Sequence, residues 1–191
     1  MERTDEEIAI ACSESSLQEF DHLYLRYSRP IYAFISRRTS DRAIAEDLTS
    51  TVFLKALENI RSFTPRKGSF RTWLYRIARN VLIDHYRSHA LRRTEDIETA
   101  WDLPAESTAE EPVESMLRDR ALVKALRALK PSAREVVLLR IYEDLPYSEI
   151  AQITGKSEGA TKVLFSRTIK ELRNVLPPLS FLLLFFPHFH S

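Results

Sequence analysis

Residues 70–87 read FRTWLYRIARNVLIDHYR, and this stretch predicts a long α-helix with one apolar and one basic face. Its apolar residues recur at intervals of three and four, which lines one side of a helix: Phe70, Trp73, Leu74, Ile77, Ala78 and Val81. Arg76, Asn80 and Arg87 fall on the other face. Ser69, directly before the pattern, belongs to a residue type that caps helix N-termini.

Another helix is predicted upstream of this stretch. Ile44, Leu48, Val52, Ala56 and Ile60 recur at every fourth position, a stripe one helix face wide. Asp41, or alternatively Ser40, can cap its start. Glycine is scarce, with three residues in the chain, and alternating β-branched runs are nearly absent, which favours helices over strands.

Four further helical segments are predicted between residues 120 and 176. Pro131 ends the first of them, and Ser132 is expected to cap the second, which Pro146 closes. A short third helix covers residues 147–153, and the fourth runs from 158 to 176 before a Pro–Pro pair. The expected fold class is therefore all-α.

The formal net charge of +1 conceals alternating charged blocks. Residues 61–93 carry nine Lys or Arg against one Asp, whereas residues 94–119 carry nine Asp or Glu against one Arg. The acidic block lacks apolar periodicity and contains two prolines, so it is predicted to be a flexible linker. The chain thus divides into a helical domain at 5–93, a linker at 94–119, a second helical domain at 120–176 and an apolar tail at 177–191.

Residues 147–168, YSEIAQITGKSEGATKVLFSRT, are typical of a helix-turn-helix. Ala151 supplies the small residue where the two helices meet, and Gly155 supplies a turn residue that tolerates positive φ. The second helix of such a motif enters the major groove of DNA. An ordinary helical hairpin with a solvated basic face is the alternative. The net charge of +5 over residues 120–191 favours DNA binding.

The basic block at 61–93 also contains aromatic residues, a combination that suits single-stranded nucleic acid, because cations follow phosphates and rings stack on bases. Phe70 and Trp73 lie on the apolar stripe, however, and are expected in the core rather than on the surface. The prediction of a nucleic-acid-binding surface therefore depends on the arginines.

No enzyme is indicated, because the sequence contains neither a glycine-rich phosphate loop nor the setting of a Ser or Cys nucleophile. His85 and His89 have the spacing of a helical zinc pair but lack the intervening Glu and a third ligand, so no metal or cofactor is expected. A single cysteine, Cys12, excludes an internal disulfide and fits a reducing compartment. With no signal peptide and no apolar run of about 20 residues, the chain is expected to be cytoplasmic, without an integral membrane segment.

The stretches at 70–87, 45–57 (AEDLTSTVFLKAL) and 147–168, in this order around an acidic linker, resemble the extracytoplasmic-function sigma factors of the sigma-70 family. The resemblance covers about residues 15–175. It implies a protein that directs bacterial RNA polymerase core to specific promoters and promotes DNA melting for transcription initiation. Its partners would be the polymerase core, promoter DNA and an anti-sigma factor.

The resemblance also implies three sets of contact residues. Docking to the polymerase core would use Asp47, Leu48, Thr49, Phe53 and Lys55. Capture of the −10 element would use Ser62, Lys67, Gly68, Arg71, Arg76, Asn80 and Arg87. Recognition of the −35 element would use Lys156, Ser157, Lys162, Val163, Ser166, Arg167 and Lys170.

The sequence departs from the family pattern in three places. Ser50–Thr51 replaces a usual Gln–Glu, which bears on core affinity, and Leu164, Ser166 and Thr168 depart from the family's usual residues in the reader helix, which bears on promoter preference. The third departure is the tail PPLSFLLLFFPHFHS at 177–191. It either folds back on the C-terminal domain, docks a regulator or inhibits the chain, or touches a membrane surface.

One rival function is a helix-turn-helix regulator that binds duplex DNA without polymerase. Such a regulator binds its operator alone, usually as a dimer on paired half-sites. A more distant rival is an interaction protein that works through the apolar tail. The first domain favours a sigma factor, because a plain regulator has no use for a polymerase-docking helix.

Overall fold

A computed structural model describes residues 3–14, 17–39, 41–93 and 120–185. This part of the chain is helical, without a strand, in agreement with the all-α prediction. Its α-helices are α1 (Asp5–Glu14), α2 (Phe20–Ser36), α3 (Arg42–Asn59), α4 (Phe70–Arg93), α5 (Arg120–Ala128), α6 (Pro131–Ile141), α7 (Tyr147–Thr154), α8 (Glu158–Val175) and α9 (Pro178–Phe185). Short 3₁₀ turns occur at Leu17–Glu19, Ile60–Ser62 and Pro65–Lys67.

Helices α1 to α4 form the N-terminal unit, in which α3 packs against both α2 and α4. Its two predicted caps are confirmed. The Asp41 carboxylate accepts a hydrogen bond from the Ala43 backbone N–H at 2.7 Å, and the Ser69 hydroxyl accepts one from the Thr72 backbone N–H at 3.1 Å. These bonds satisfy donors that the first turn of a helix leaves unpaired.

The aromatic residues of α4 lie in the core of this unit, as expected. Phe70 is fully buried, and its ring lies 5.7 Å from that of Phe63 and 5.6 Å from that of Trp73. Phe63 belongs to the loop between α3 and α4, so this cluster fixes the loop against the start of α4. The Phe63–Phe70 contact is edge-on, and such contacts are worth about 0.5–1.5 kcal/mol beyond the buried area.

Helices α5 to α9 form the C-terminal unit. The predicted cap of its second helix is wrong, because α6 begins at Pro131 and its N-cap is Lys130, with no side-chain cap. The cause is the proline, whose fixed φ and missing N–H suit the first helical position. Ser132 is therefore already inside the helix, where it is exposed.

Helix α6 lies between two apolar clusters and is buried at every position from Ala133 to Leu139. Val137 and Leu138 pack within the C-terminal unit, whereas Val136 and Leu139 join the core of the N-terminal unit. Helix α7 packs against both α4 and α8. The two units therefore share a continuous apolar interface.

The start of the tail folds back on the C-terminal unit, as one of the three alternatives expected. Helix α9 buries Leu184 completely and packs Phe181 against the cluster of α5 and α8. Its other face is exposed at Leu179 and Leu182. The remaining tail residues, 186–191, and the linker at 94–119 lie outside the described residues. Within the described ranges, no helix is long and apolar enough to cross a membrane.

Candidate nucleic-acid interface

Helix α3 carries the residues that sequence predicts for docking to polymerase. Asp47 is exposed, and Thr49 and Lys55 are half-buried on the helix surface. The Thr49 hydroxyl donates to the Ala45 carbonyl at 2.7 Å, and the Lys55 ammonium lies 3.7 Å from the Asp84 carboxylate. Leu48 is half-buried and packs against the core of the unit.

Phe53 is not available for docking, which corrects the sequence prediction. It is buried in the core, where its ring lies 4.8 Å from that of Tyr24 and 6.5 Å from that of Phe20. The next residue, Leu54, is 57% exposed and presents the apolar surface of this turn to solvent. Sequence periodicity indicates that Phe53 is buried, because it follows Val52 of the buried stripe and precedes Ala56 by three residues.

The loop between α3 and α4 exposes Ser62 and Lys67 on either side of the buried Phe63. Gly68 ends the loop at φ 144°, a backbone conformation that favours glycine. A Cβ atom at Gly68 would stand 2.5 Å from the Gln152 side-chain oxygen on α7. The helix-turn-helix therefore lies directly against this loop.

Helix α4 separates its predicted DNA residues onto two faces. Arg76, Asn80 and Arg87 are exposed and recur at i, i+4 and i+11, which places them on one side of the helix. Arg71 lies on a different face, and its guanidinium Nε is 3.1 Å from the Glu149 carboxylate of α7. Three of the four arginine and asparagine positions therefore form one open surface, and Arg71 does not join it.

Arg71, Tyr75 and Arg79 recur at intervals of four and face the C-terminal unit. Each meets a glutamate: Arg71 meets Glu149 at 3.1 Å, Tyr75 donates its hydroxyl hydrogen to Glu143 at 3.0 Å, and Arg79 meets Glu135 at 2.7 Å. We call these six residues the glutamate ladder.

Two neighbouring contacts extend the glutamate ladder. The Glu143 carboxylate also binds Arg37 at 2.5 Å, and the Ser69 hydroxyl donates to Glu149 at 3.2 Å. Sequence reasoning missed the ladder glutamates. The available signal was Glu135, the single acid of α6, which stands directly before the apolar residues Val136 to Leu139.

Burial changes the acid–base chemistry at this interface. Burial and the nearby Glu143 carboxylate raise the pKa of Tyr75 well above its usual value, because both disfavour the phenolate. Burial lowers the pKa of the Arg38 guanidinium to about 10, although Glu143 and Glu135 oppose this change. Burial also raises the pKa of Tyr142.

The helix-turn-helix has the expected turn. Gly155 is in the left-handed region at φ 72°, and the Ser157 hydroxyl caps α8 by accepting from the Ala160 backbone N–H at 3.2 Å. Ile150 and Ile153 of α7 are buried, but they face the N-terminal unit's core rather than α8 alone. The ring of Phe165 on α8 lies 5.6 Å from that of Tyr147 on α7.

The predicted −35 residues share an exposed surface on α8 and the turn before it. Lys162 is partly neutralised by Glu158, one turn earlier, at 2.6 Å. Val163 is half-exposed, an apolar group of the kind that contacts thymine methyls. All of the predicted positions are solvent-exposed: Lys156, Ser157, Lys162, Val163, Ser166, Arg167 and Lys170.

Among the described residues there is no group of three or more His, Cys, Asp or Glu side chains that would hold a metal ion. His85 is half-buried beside Tyr86, with ring centroids 5.5 Å apart. The side chain of His89 lies outside the described residues.

Comparison with known proteins agrees with this arrangement. Residues 23–92 match the family model for sigma-70 region 2, and residues 119–172 match the model for sigma-70 region 4. The chain therefore belongs to the sigma-70 family.

Its relatives are extracytoplasmic-function sigma factors, and the chain is a member of that group. It is 39% identical over 161 residues to the ECF RNA polymerase sigma factor BldN of Streptomyces coelicolor, covering 83% of this chain and 60% of the relative. It is 31% identical over 160 residues to the RNA polymerase sigma factor YlaC of Bacillus subtilis, covering 80% and 89%. The chain thus spans less than two thirds of BldN's length.

The fold also resembles that of the sigma factor RpoE from Bartonella quintana, solved in complex with the anti-sigma factor NepR. The TM-score is 0.66 at 25% identity, and the match covers 83% of this chain and 96% of that one. CnrH, solved in complex with the cytosolic domain of CnrY, shares the fold with a TM-score of 0.65 at 19% identity, covering 89% of this chain and 95% of that one.

Proposed function

We propose that this chain is an RNA polymerase sigma factor that binds the core enzyme, recognises specific promoters and promotes their melting. The observation that carries the proposal is the pairing of two surfaces in one chain. An exposed basic face on α4 stands beside a glycine-ended loop, and a helix-turn-helix presents a second basic face on α8. A regulator of duplex DNA needs the second surface but not the first.

The N-terminal unit would perform docking and strand separation. Asp47, Thr49 and Lys55, with the exposed Leu54, would contact the polymerase core through α3. Leu48 lies behind this surface and would support it. If the chain binds core, it would act in the cytoplasm, as an initiation factor rather than an enzyme.

The loop at 62–68 and the open face of α4 would hold the non-template strand of the −10 element. Flipping a base out of the duplex costs a few kcal/mol, and contacts in a loop pocket must offset this cost. Ser62 and Lys67 are exposed for such contacts. Arg76, Asn80 and Arg87 would carry the strand, because cations on one helix face follow consecutive phosphates.

The C-terminal unit would read the −35 element with α8 in the major groove. Ser166, Arg167 and Val163 are exposed and would contact base edges, and the exposed Lys156 and Lys170 would contact phosphates. Ser157 caps the helix and leaves its N-terminal dipole available to a phosphate. The solved complex of RpoE with the anti-sigma factor NepR supports an anti-sigma factor as a further partner of this chain.

A pull-down of purified bacterial RNA polymerase core with the chain tests the docking step. Asp47→Arg is expected to weaken capture, because it reverses a charge on the exposed face of α3. Glu171→Arg, which makes the same exchange of an acid for Arg on the exposed surface of α8, serves as the control. Failure to capture core, together with tight binding of duplex DNA by the chain alone, would assign the chain to the regulators.

A further inference from the structure

The apolar tail keeps one uncovered face after it packs on the C-terminal unit. Leu179, Leu182 and Leu183 recur at i, i+3 and i+4, which places them on one side of α9. Leu179 is 71% and Leu182 is 54% exposed, and Leu183 and Phe185 are also open to solvent. With Val175, more exposed large apolar side chains lie here than in any other described stretch of this length.

The opposite side of α9 holds this face in place. Leu184 and Ser180 are buried, and Phe181 packs on the apolar cluster that α5 and α8 share. The ring of Phe185 lies 5.3 Å from that of Phe181. Because the helix is already ordered, little conformational entropy is lost when a partner covers its open side. The face is therefore a preformed surface rather than a segment that must fold on binding.

The positive charge of the C-terminal unit is concentrated on the two helices that contact α9. Residues 120–130 and 170–173 contain six Lys or Arg and one Glu, whereas residues 131–169 contain five of each sign. The first two segments include α5 and part of the last turns of α8, and α9 packs against both helices. Lys124 and Arg173 are exposed. Packed helix axes lie about 8–10 Å apart, close to the screening length of about 10 Å in 0.1 M salt, so these charges act on a partner that covers α9.

An anionic lipid surface fits these features better than a second protein does. A stable protein interface uses about 20–30 residues a side, whereas this face offers only a few apolar side chains. Helices that lie in a membrane interface combine Leu and Phe on one side with nearby Lys and Arg, and residues 174–191 contain no charged side chain that would oppose insertion. Helix α9 is about 12 Å long, too short to cross a hydrocarbon core of about 30 Å, so it can only lie along the surface.

We propose that α9 is a membrane contact, whose open face of Leu179, Leu182, Leu183 and Phe185 enters the interface of an anionic bilayer. The basic residues of α5 and of the end of α8 meet the lipid phosphates. A helix in this position buries its apolar face about 5–10 Å deep, which gives reversible peripheral binding. The inference goes beyond the proposed function, and its test involves neither polymerase nor DNA.

Co-sedimentation of the full chain with lipid vesicles measures this contact. A single acyl anchor binds with an association constant of about 10⁴ M⁻¹, and the wild type is expected to bind vesicles of mixed phosphatidylglycerol and phosphatidylcholine with comparable strength. The double variant Leu179→Ser, Leu182→Ser is expected to bind at least about tenfold more weakly, because it removes apolar surface from the open face. Leu17→Ser, Leu25→Ser makes the same exchange at two leucines of the N-terminal unit with similar exposure, 57% and 74%, and is expected to bind like the wild type.

A second pair of variants tests the electrostatic part of the contact. Each Lys or Arg near an anionic surface is worth about a fivefold change in binding. Lys124→Gln, Arg173→Gln is therefore expected to weaken binding to the anionic vesicles by roughly 25-fold and to leave the weaker binding to pure phosphatidylcholine unchanged. Arg29→Gln, Arg61→Gln removes two exposed charges from the N-terminal unit and is expected to have no effect on either. Equal binding of the wild type to both kinds of vesicle would overturn the role of the basic residues.

Two further results would overturn the membrane contact itself. One is a wild type that does not sediment with the anionic vesicles at about 1 mM lipid, or a Leu179→Ser, Leu182→Ser chain that binds them as well as the wild type does. The other is a wild type that forms dimers in analytical ultracentrifugation and loses both the dimer and vesicle binding in this variant, because the face would then belong to a second copy. All of the substituted side chains are exposed, so the variants are expected to fold, and circular dichroism checks this.

Discussion

The turn of the helix-turn-helix permits a test in which one chemical change has opposite effects at two sites. Gly155 and Gly159 are four residues apart, and a Cβ atom at either position would meet nothing within 4 Å. Substitution by Ala therefore creates no clash in either case. The two positions differ only in backbone conformation, because Gly155 is left-handed at φ 72° and Gly159 lies in the first turn of α8.

The magnitudes follow from the backbone alone. A left-handed conformation costs an L-residue about 1–2 kcal/mol, so Gly155→Ala is expected to destabilise the chain by that amount. Ala is better than Gly in a helix by roughly 0.5–1 kcal/mol, so Gly159→Ala is expected to stabilise it. For a chain of this size, 1 kcal/mol corresponds to roughly 2–4 °C in melting temperature.

Thermal unfolding followed by circular dichroism at 222 nm measures both variants under one set of conditions. Gly155→Ala should melt below the wild type and Gly159→Ala at or above it. Equal shifts of the same sign at the two positions would refute the assignment of the left-handed turn to Gly155. They would also remove the main geometric support for the helix-turn-helix.

Three other predictions test the remaining assignments. In urea unfolding, Leu184→Ala is expected to destabilise the chain by about 2–5 kcal/mol and Leu182→Ala by less than about 0.5 kcal/mol, because only Leu184 is buried. Equal effects of the two variants would contradict the packing of α9 on the C-terminal unit. Phe53→Ala is expected to lower the free energy of unfolding by about 3–5 kcal/mol, because the side chain is buried. Leu54→Ala is expected to leave stability unchanged and to weaken capture of polymerase core. The reverse pattern would indicate that Phe53 is exposed and Leu54 is buried. The raised pKa of Tyr75 keeps the phenol protonated in the folded chain, so the free energy of unfolding should be full below about pH 10 and fall above it. Tyr75→Phe should reduce the slope of this decline by up to about 1.4 kcal/mol per pH unit. An unchanged slope would contradict the burial of the phenol.

Apolar periodicity was sufficient to predict the helices, and the residue types at their N-termini were sufficient to predict the caps. The stripe from Ile44 to Ile60 and the run from Phe70 to Val81 become α3 and α4, and Asp41 and Ser69 cap as expected. These signals are local, since a cap or a turn involves residues only a few positions apart. The predicted cap at Ser132 was wrong, because the neighbouring Pro131 occupies the first position of α6.

Contacts between residues far apart in the chain could not be predicted from these local patterns. The pairing of Glu135 with Arg79 joins residues 56 positions apart, and no periodicity within either helix specifies it. The contact of Arg71 with Glu149 was not predictable for the same reason, because it joins residues 78 positions apart. Helix α6 is buried from Ala133 to Leu139, and only the fold shows that one side of it meets the N-terminal unit.

Run-off transcription with reconstituted holoenzyme tests the central claim most directly. Purified bacterial core is combined with the chain on a library of genomic fragments, and the transcripts are mapped. The proposed function predicts new start sites that are absent with core alone and weakened by Asp47→Arg. Formation of a stable complex with core that yields no new start sites on any fragment, while a known sigma factor initiates in parallel, would contradict it.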